Sequence, residues 1–205
     1  MKIITISREF GSGGREIGKA LAETLGVAYY DREIIEEVAR RSSVHPDYVE
    51  HALQRGELVN YSTGLHHTFS FFPMQPSPAA EFLTEQHRVV HELGSRGDCV
   101  IVGRSADTLL SEYHPCNFFI YEDMDSKLQR CRERMQPGET MSDKELLAHI
   151  RKIDKARATY HDMISDTKWG ERESYHLCVN TTGVPVLSLV PLLAKFAEIH
   201  FGNLK

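Results

Sequence analysis

The 205-residue chain is predicted to be an α/β protein, a three-layer α/β/α arrangement with a central parallel sheet. Three observations predict it. Short apolar runs alternate with amphipathic helical patterns along nearly the whole chain. Those runs are apolar on both faces, which suits strands covered by helices from two sides. The first of them passes directly into a glycine-rich turn and then a helical pattern. That order aims backbone N–H groups and the positive end of a helix at an anion.

The opening strand, Lys2-Ile3-Ile4-Thr5-Ile6-Ser7, is followed by Arg8-Glu9-Phe10-Gly11-Ser12-Gly13-Gly14-Arg15-Glu16-Ile17-Gly18-Lys19. A loop wrapped round a phosphate needs positive φ angles and no Cβ in the way, which Gly11, Gly13 and Gly14 provide. Two frames compete. Taken literally, Gly13-x4-Gly18-Lys19 fits G-x-x-x-x-G-K, with Ala20 where Ser or Thr would hold magnesium. That frame leaves Arg8 to Ser12 as surplus before the loop and buries Lys19 a turn inside the helix. The preferred frame makes Gly11-Ser12-Gly13-Gly14 the anion loop and Arg15 its cation. A glycine turn without a ligand is the alternative.

The first helix is expected from Gly14 to Leu25, with Ile17, Leu21, Ala22 and Leu25 on one face and Gly26 as its stop. A short strand, Val27 to Tyr30, ends at Asp31. Helical patterns cover Arg32 to Arg41 and Pro46 to Arg55. Residues 56–79 hold Gly56, Gly64, three prolines and His67-Thr68-Phe69-Ser70-Phe71-Phe72. This is too long for an ordinary connection and reads as a flap or a partner-binding surface. A helix from Ala80 to Leu93 leads to a buried strand, Cys99 to Val102, which ends in Gly103-Arg104-Ser105-Ala106-Asp107. A strand from Asn117 to Tyr121 precedes a helix from Asp125 to Met135. The Ser142-x-x-Glu145 capping box opens a basic helix carrying Arg151, Lys152, Lys155 and Arg157. A strand from Leu177 to Asn180 and a helix from Val186 to Phe201 close the chain.

Ligands of such sheets sit beyond the carboxyl ends of the strands, where this chain gathers its glycine loop, Asp31, Arg104 and Asp107. Composition is ordinary, with 41% hydrophobic and 26% charged residues and a net charge of −5, and suggests neither a nucleic-acid surface nor a membrane partner. No signal-peptide pattern opens the chain and no apolar stretch nears about 18 residues, so a soluble, cytoplasmic protein is expected. Cys99, Cys116, Cys131 and Cys178 form no C-x-x-C pair and read as reduced thiols rather than disulfides or zinc ligands. His87 and His91, at i and i+4, lack a third ligand and read as helix surface. His66-His67 lies among aromatic residues of the flap, and Trp169 is expected to pack a loop onto the core.

Ile4-Thr5-Ile6, the glycine loop, Ala20-Leu21-Ala22-Glu23-x-Leu25 and Tyr30-Asp31 resemble, without a gap, the opening of bacterial cytidylate kinases. Gly103-Arg104 resembles their G-R-D segment. Arg130-Cys131-x-x-Arg134-Met135 resembles their helix leading to the lid, and Asp154-Lys155-Ala156-Arg157 their D-R-x-R lid motif. The cytidylate kinase-like branch is closer still, through Ile6 to Gly18, Val102-Gly103-Arg104, Asp154 to Tyr160 and Lys168-Trp169-Gly170. The resemblance spans nearly everything outside residues 56–79.

The resemblance implies a single P-loop-type domain, residues 1–205, whose core covers about 1–31, 95–135 and 170–205. It adds a nucleotide-binding insertion at about 32–94 and a helical lid at about 136–169. It also implies phosphoryl transfer from ATP–Mg²⁺ to a nucleoside monophosphate, CMP or dCMP first. Such chemistry is largely positioning and charge neutralisation, work suited to arginine forks. On this resemblance Gly11, Ser12, Gly13, Gly14, Arg15 and Glu16 bind the ATP phosphates, and Arg15, Arg130, Arg134, Lys155 and Arg157 are catalytic. Asp31, Arg104, Ser105, Asp107 and Asp154 bind the acceptor nucleotide, and Glu16 holds Mg²⁺. Expected partners are nucleoside mono- and triphosphates, with no nucleic acid or membrane; a homo-oligomer is compatible with the sequence.

This sequence departs from the cytidylate kinase pattern at identifiable places. The usual loop lysine is Gly14, the magnesium-binding hydroxyl is Glu16, and the aspartate after Gly-Arg is Ser105. Pro78-Ala79-Ala80 stands where a nucleotide-contacting arginine would be expected. Glu16 and Ser105 favour, as an alternative, a nucleotide-binding sensor or scaffold without phosphotransfer. A kinase of another small phosphate acceptor is a third reading.

Overall fold

The computed structural model describes residues 1–45, 78–135, 138 and 140–203. The expected helix from Pro46 to Arg55, the His66-His67 pair and nearly all of the 56–79 segment lie outside the described residues. Five strands form one parallel sheet: β1 (Ile3–Arg8), β2 (Ala28–Tyr30), β3 (Cys99–Val102), β4 (Cys116–Tyr121) and β5 (Leu177–Asn180). Their order is β2-β3-β1-β4-β5. Seven helices accompany them among the described residues: α1 (Gly14–Leu25), α2 (Arg32–Arg41), α3 (Pro78–Ser95), α4 (Ala106–Leu109), α5 (Met124–Glu133), α6 (Asp143–Ile164) and α7 (Val190–Gly202).

The strand pleat sorts side chains into two cores. Ile3 of β1 and Cys99 and Ile101 of β3 face one way, against Ile34 and Val38 of α2, Val89 and Val90 of α3 and Tyr160 of α6. Ile4, Ile6, Val100, Val102, Phe118 and Ile120 face the other, against Ile17 and Leu21 of α1 and Leu193 and Ala197 of α7. This is the two-sided burial that the apolar runs predict. On the first side Arg41 also ties α2 to α3, reaching Glu37 at 2.6 Å, Glu85 at 3.0 Å and Glu92 at 2.7 Å.

The element ends follow local chemistry. Gly26, at φ 66°, stops α1 by donating its N–H to the carbonyls of Ala22 and Glu23. Ser142 and Glu145 form the expected reciprocal box at the start of α6. The last helical pattern divides: Val186–Leu189 is a 3₁₀ turn, and α7 begins at Val190 with a proline in its first turn. No described helix is long and apolar enough to cross a membrane. Strands β1 and β4 are neighbours whose connections leave in opposite directions, to β2 and to β5, which opens a crevice at their carboxyl ends.

Candidate active site

At the mouth of that crevice, β1 ends at Arg8 and the chain turns through Gly11 and Gly13 into α1. Gly13, the residue before the helix, has φ 81°, and a Cβ there would lie 2.6 Å from Cγ1 of Val186. The loop is fastened from several directions. Oγ of Ser12 lies 2.9 Å from the Glu9 carbonyl and 3.1 Å from that of Ile120, and the Thr181 hydroxyl donates to the Ser12 carbonyl at 3.0 Å. The Phe10 N–H donates to Asp154 at 2.6 Å. Glu9 accepts from the buried Lys127 ammonium at 2.8 Å and from the Glu122 N–H at 3.3 Å. A loop so braced is organised without a ligand.

Arginines dominate what faces it. A Cβ on Gly14 would sit 2.6 Å from Cβ of Arg8, so the usual loop-lysine position is filled by the stem of that arginine. The Arg8 guanidinium, largely buried, packs against Gly103 and lies 3.7 Å from Asp31. Burial pushes its pKa well below the ordinary value, the nearby Arg157 charge adds to this, and Asp31 opposes it. Arg157 is pulled down to about 10, by burial first and by Arg104 and Arg15, against the opposing Asp154. It donates to the Arg8 carbonyl at 2.9 Å and stands over the Phe10 ring, 5.7 Å from its centre. Arg15 pairs with Asp31 at 2.5 Å, and Arg134 pairs with Glu16. Burial, then the Arg15 charge, lowers the Arg134 pKa. Guanidinium groups stay charged at neutral pH, so these shifts register burial first and neighbouring positive charge second.

The wall opposite is the turn after β3. Gly103, Arg104 and Ser105 take φ of 74°, 59° and 50°, three consecutive left-handed residues. For the two that carry side chains this costs of order 1–3 kcal/mol each, strain of the kind found at ligand clamps. Together the loop and this turn bound a cavity of about 400 Å³, lined by Arg8, Arg15, Arg104, Arg134 and Arg157 and by Gln86, His149 and Tyr160. Among the described lining residues Glu9 is the sole acid.

A sequence profile of the cytidylate kinase-like family matches residues 3–183. The chain belongs to the cytidylate kinase-like family. A search of curated proteins returned no match. Among solved structures, an uncharacterized protein from Eubacterium ventriosum ATCC 27560 is 26% identical, over 97% of this chain and 99% of that one, with a TM-score of 0.69. Shikimate kinase from Acinetobacter baumannii, in complex with shikimate, is 17% identical over 100% of this chain and 96% of its own, with a TM-score of 0.54. A gluconokinase from Sinorhizobium meliloti 1021 is 18% identical over 100% and 98%, with a TM-score of 0.54. The two kinases share with this cytidylate kinase-like chain the P-loop kinase fold.

Of the site residues expected from the sequence, Gly11, Gly13, Gly14, Arg15, Arg104, Ser105, Arg134 and Arg157 line the cavity. The others lie outside its lining. Ser12 is spent on fastening the loop, Glu16 on Arg134, and Asp31 stands behind Arg8 and Arg15. Asp154 braces the loop at Phe10 and reaches Lys127 at 3.5 Å. Arg130 grips the buried Glu122 with both arms of its fork, at 3.2 and 2.7 Å. Lys155 is exposed on α6. Asp107 is buried and accepts from His161 Nε2 at 3.2 Å. Burial disfavours the His161 imidazolium, but Asp107 and Asp162 outweigh it and raise its pKa above the ordinary value.

Sequence reasoning gives no role to Lys127 and Gln86, nor to Arg8 and Tyr160, which it quotes only within the family motifs. Arg8 was legible in principle, as the last residue of the family's I-S-R opening, had the strand been carried one residue further. The Tyr160 hydroxyl is held by Gln86 Nε2 at 2.7 Å and lies 3.0 Å from His87 Nε2, a contact between helices that no local pattern announces. His91 turns instead toward Glu112, at 3.4 Å.

Proposed function

We propose that this protein is a soluble cytoplasmic enzyme that transfers a phosphoryl group from ATP to a nucleoside monophosphate, CMP or dCMP first. Supporting this reading above all is the convergence of five guanidinium groups on one cavity at the end of β1, with the acids that pair four of them, Asp31, Glu16 and Asp154, set outside its lining. Such a lining suits an anion of several charges, which its forks can hold in fixed directions. A triphosphate fits the residues present: a bare glycine loop at a helix N-terminus with a cation beside it. Magnesium fits as well, since Glu16 offers the oxygen ligand that this ion prefers.

ATP–Mg²⁺, when bound, would supply the phosphoryl group and a metal charge that offsets the negative charge of its phosphates. The chain's own residues align and neutralise. The loop N–H groups and Arg15 hold the donor phosphates, with Asp31 steering the Arg15 fork. Arg8 and Arg104 hold the acceptor phosphate, and Arg157, which contacts the Arg8 backbone, spans the interval between the two. Arg134 would turn from Glu16 to phosphate oxygens, and Glu16 is the residue that would hold the metal. In this reading residues of about 32–94 serve as the acceptor-binding insertion and about 136–169 as the lid.

One observation favours the alternative of a nucleotide-binding sensor without phosphotransfer: Arg134 already occupies Glu16, the residue assigned to magnesium. Release of ADP, measured by coupled assay with ATP and a panel of nucleoside monophosphates, separates the readings. Turnover greatest with CMP or dCMP is expected. ATP binding with no turnover on any acceptor would establish the sensor, and turnover on a non-nucleotide acceptor alone would point to a different kinase.

A further inference from the structure

At the end of the sheet remote from the cavity, three groups with no part in phosphate binding meet. Cys116 is the first residue of β4, His176 immediately precedes β5, and His200 lies in the last turn of α7. Because the strands are parallel, all three stand at the amino-terminal edge, while the glycine loop stands at the carboxyl-terminal edge. One ligand atom from each lies within 4.8 Å of the others. The two imidazoles meet edge to face with centres 4.4 Å apart.

A buried thiol alone is ordinary packing, as at Cys99. Here a second observation points to a ligand: Nε2 of His200 is buried and has no hydrogen-bond partner among the described residues. Buried polar atoms are rarely left so, and an unmet one calls for an ion or a water. Nδ1 of His176 accepts from the Asn117 N–H at 3.0 Å on an exposed edge, so its lone pair is engaged and an ion bound there displaces the amide. Coordination there exchanges that hydrogen bond for the ion and leaves the amide to solvent.

We propose that Cys116, His176 and His200 form a metal site for zinc or a cation of its class. One thiolate and two imidazoles are a borderline-soft set that suits Zn²⁺ and not the Mg²⁺ of phosphoryl transfer. Ligand atoms on one tetrahedral zinc lie roughly 3.4 Å apart, so the three side chains close up by about 1 Å on binding. The Cys116 thiol gives its proton to solvent as the sulfur–metal bond forms. Exposed His176 leaves the fourth position to water. An ion held this way clamps the end of α7 to β4 and β5, a bracing role separate from the reaction. The cysteines, read from their spacing and apolar surroundings as unrelated to zinc, lack a C-x-x-C signal because this ligand set comes from three distant elements.

The test uses the full chain, stripped by chelator and titrated with Zn²⁺ against a chromogenic chelator, and separately loaded with Co²⁺. One strongly bound zinc per chain is expected, with a near-ultraviolet thiolate-to-cobalt absorption band. Cys116→Ser and His200→Gln should each weaken zinc binding at least about tenfold, while Cys178→Ser leaves it unchanged. Absence of a bound equivalent in the wild-type chain, or unchanged affinity in both ligand variants, overturns the site. Should those variants not fold, the cobalt spectrum of the wild-type chain decides, and a spectrum without the thiolate band refutes the proposal.

Discussion

Arg15 and Lys19 stand four residues apart on α1, yet only Arg15 lines the cavity, while Lys19 is exposed a turn further on. Replacing Arg15 with alanine is expected to lower kcat/KM by about 10²–10³-fold, the usual cost of losing a preorganised charge donor. Lys19→Ala should stay within about twofold, since a solvated lysine off the cavity contributes little; equal losses would show that the literal G-x-x-x-x-G-K frame was correct. Restoring the customary lysine, Gly14→Lys, is expected to harm the protein. Its Cβ would meet that of Arg8 at 2.6 Å, an overpacking worth about 1–3 kcal/mol, read as a lower urea midpoint. A glycine turn with Arg15 at its end, close after a strand, was legible from the residues alone. That Arg8 fills the lysine's place was not, because it depends on how one side chain runs past another.

Periodicity located α1 and α2 to the residue, because each has one apolar face and a clear stop. It was less exact for the closing helix, where Val186–Leu189 is apolar enough to continue the pattern but winds as a 3₁₀ turn. Nothing local announced the junction between α2 and α3. There Glu37 accepts from Arg40 and Arg41, and these bonds, in that order, pull its pKa from about 4.5 to about 2. A carboxyl depressed on folding contributes stability above its unfolded value and forfeits it as pH falls through the folded one. Glu37→Gln should therefore lower the urea midpoint at pH 7, and the gap from wild type should close between about pH 4.5 and about pH 2. A gap constant across that window would mean that Arg41 holds the two helices through Glu85 and Glu92 alone.

At the scale of the whole molecule, the fold class was legible because every strand is short, apolar on both faces and separated from the next by a helix. The assembly of the cavity was only partly so. Arg8, Arg104 and Arg157 are about 50 to 150 positions apart, and only the crossing of the chain over β1 brings them together. A binding site completed by an anion should stabilise the entire domain when filled. At about 100 times its dissociation constant, ATP is expected to add roughly 2.7 kcal/mol, or about 5–10 °C in Tm for a chain of this size. Arg15→Ala should need more nucleotide for the same rise, and a rise unaffected by that change would place the triphosphate elsewhere. The cavity's cations also have a chemical consequence. No lysine is among the described residues that line it. Acylating analogues of ATP, which leave a stable amide on a lysine beside a bound nucleotide, would find no such amine in this lining, only guanidinium groups and the acyl acceptors Cys131, His149 and Tyr160, and are expected to form no amide on a lining residue.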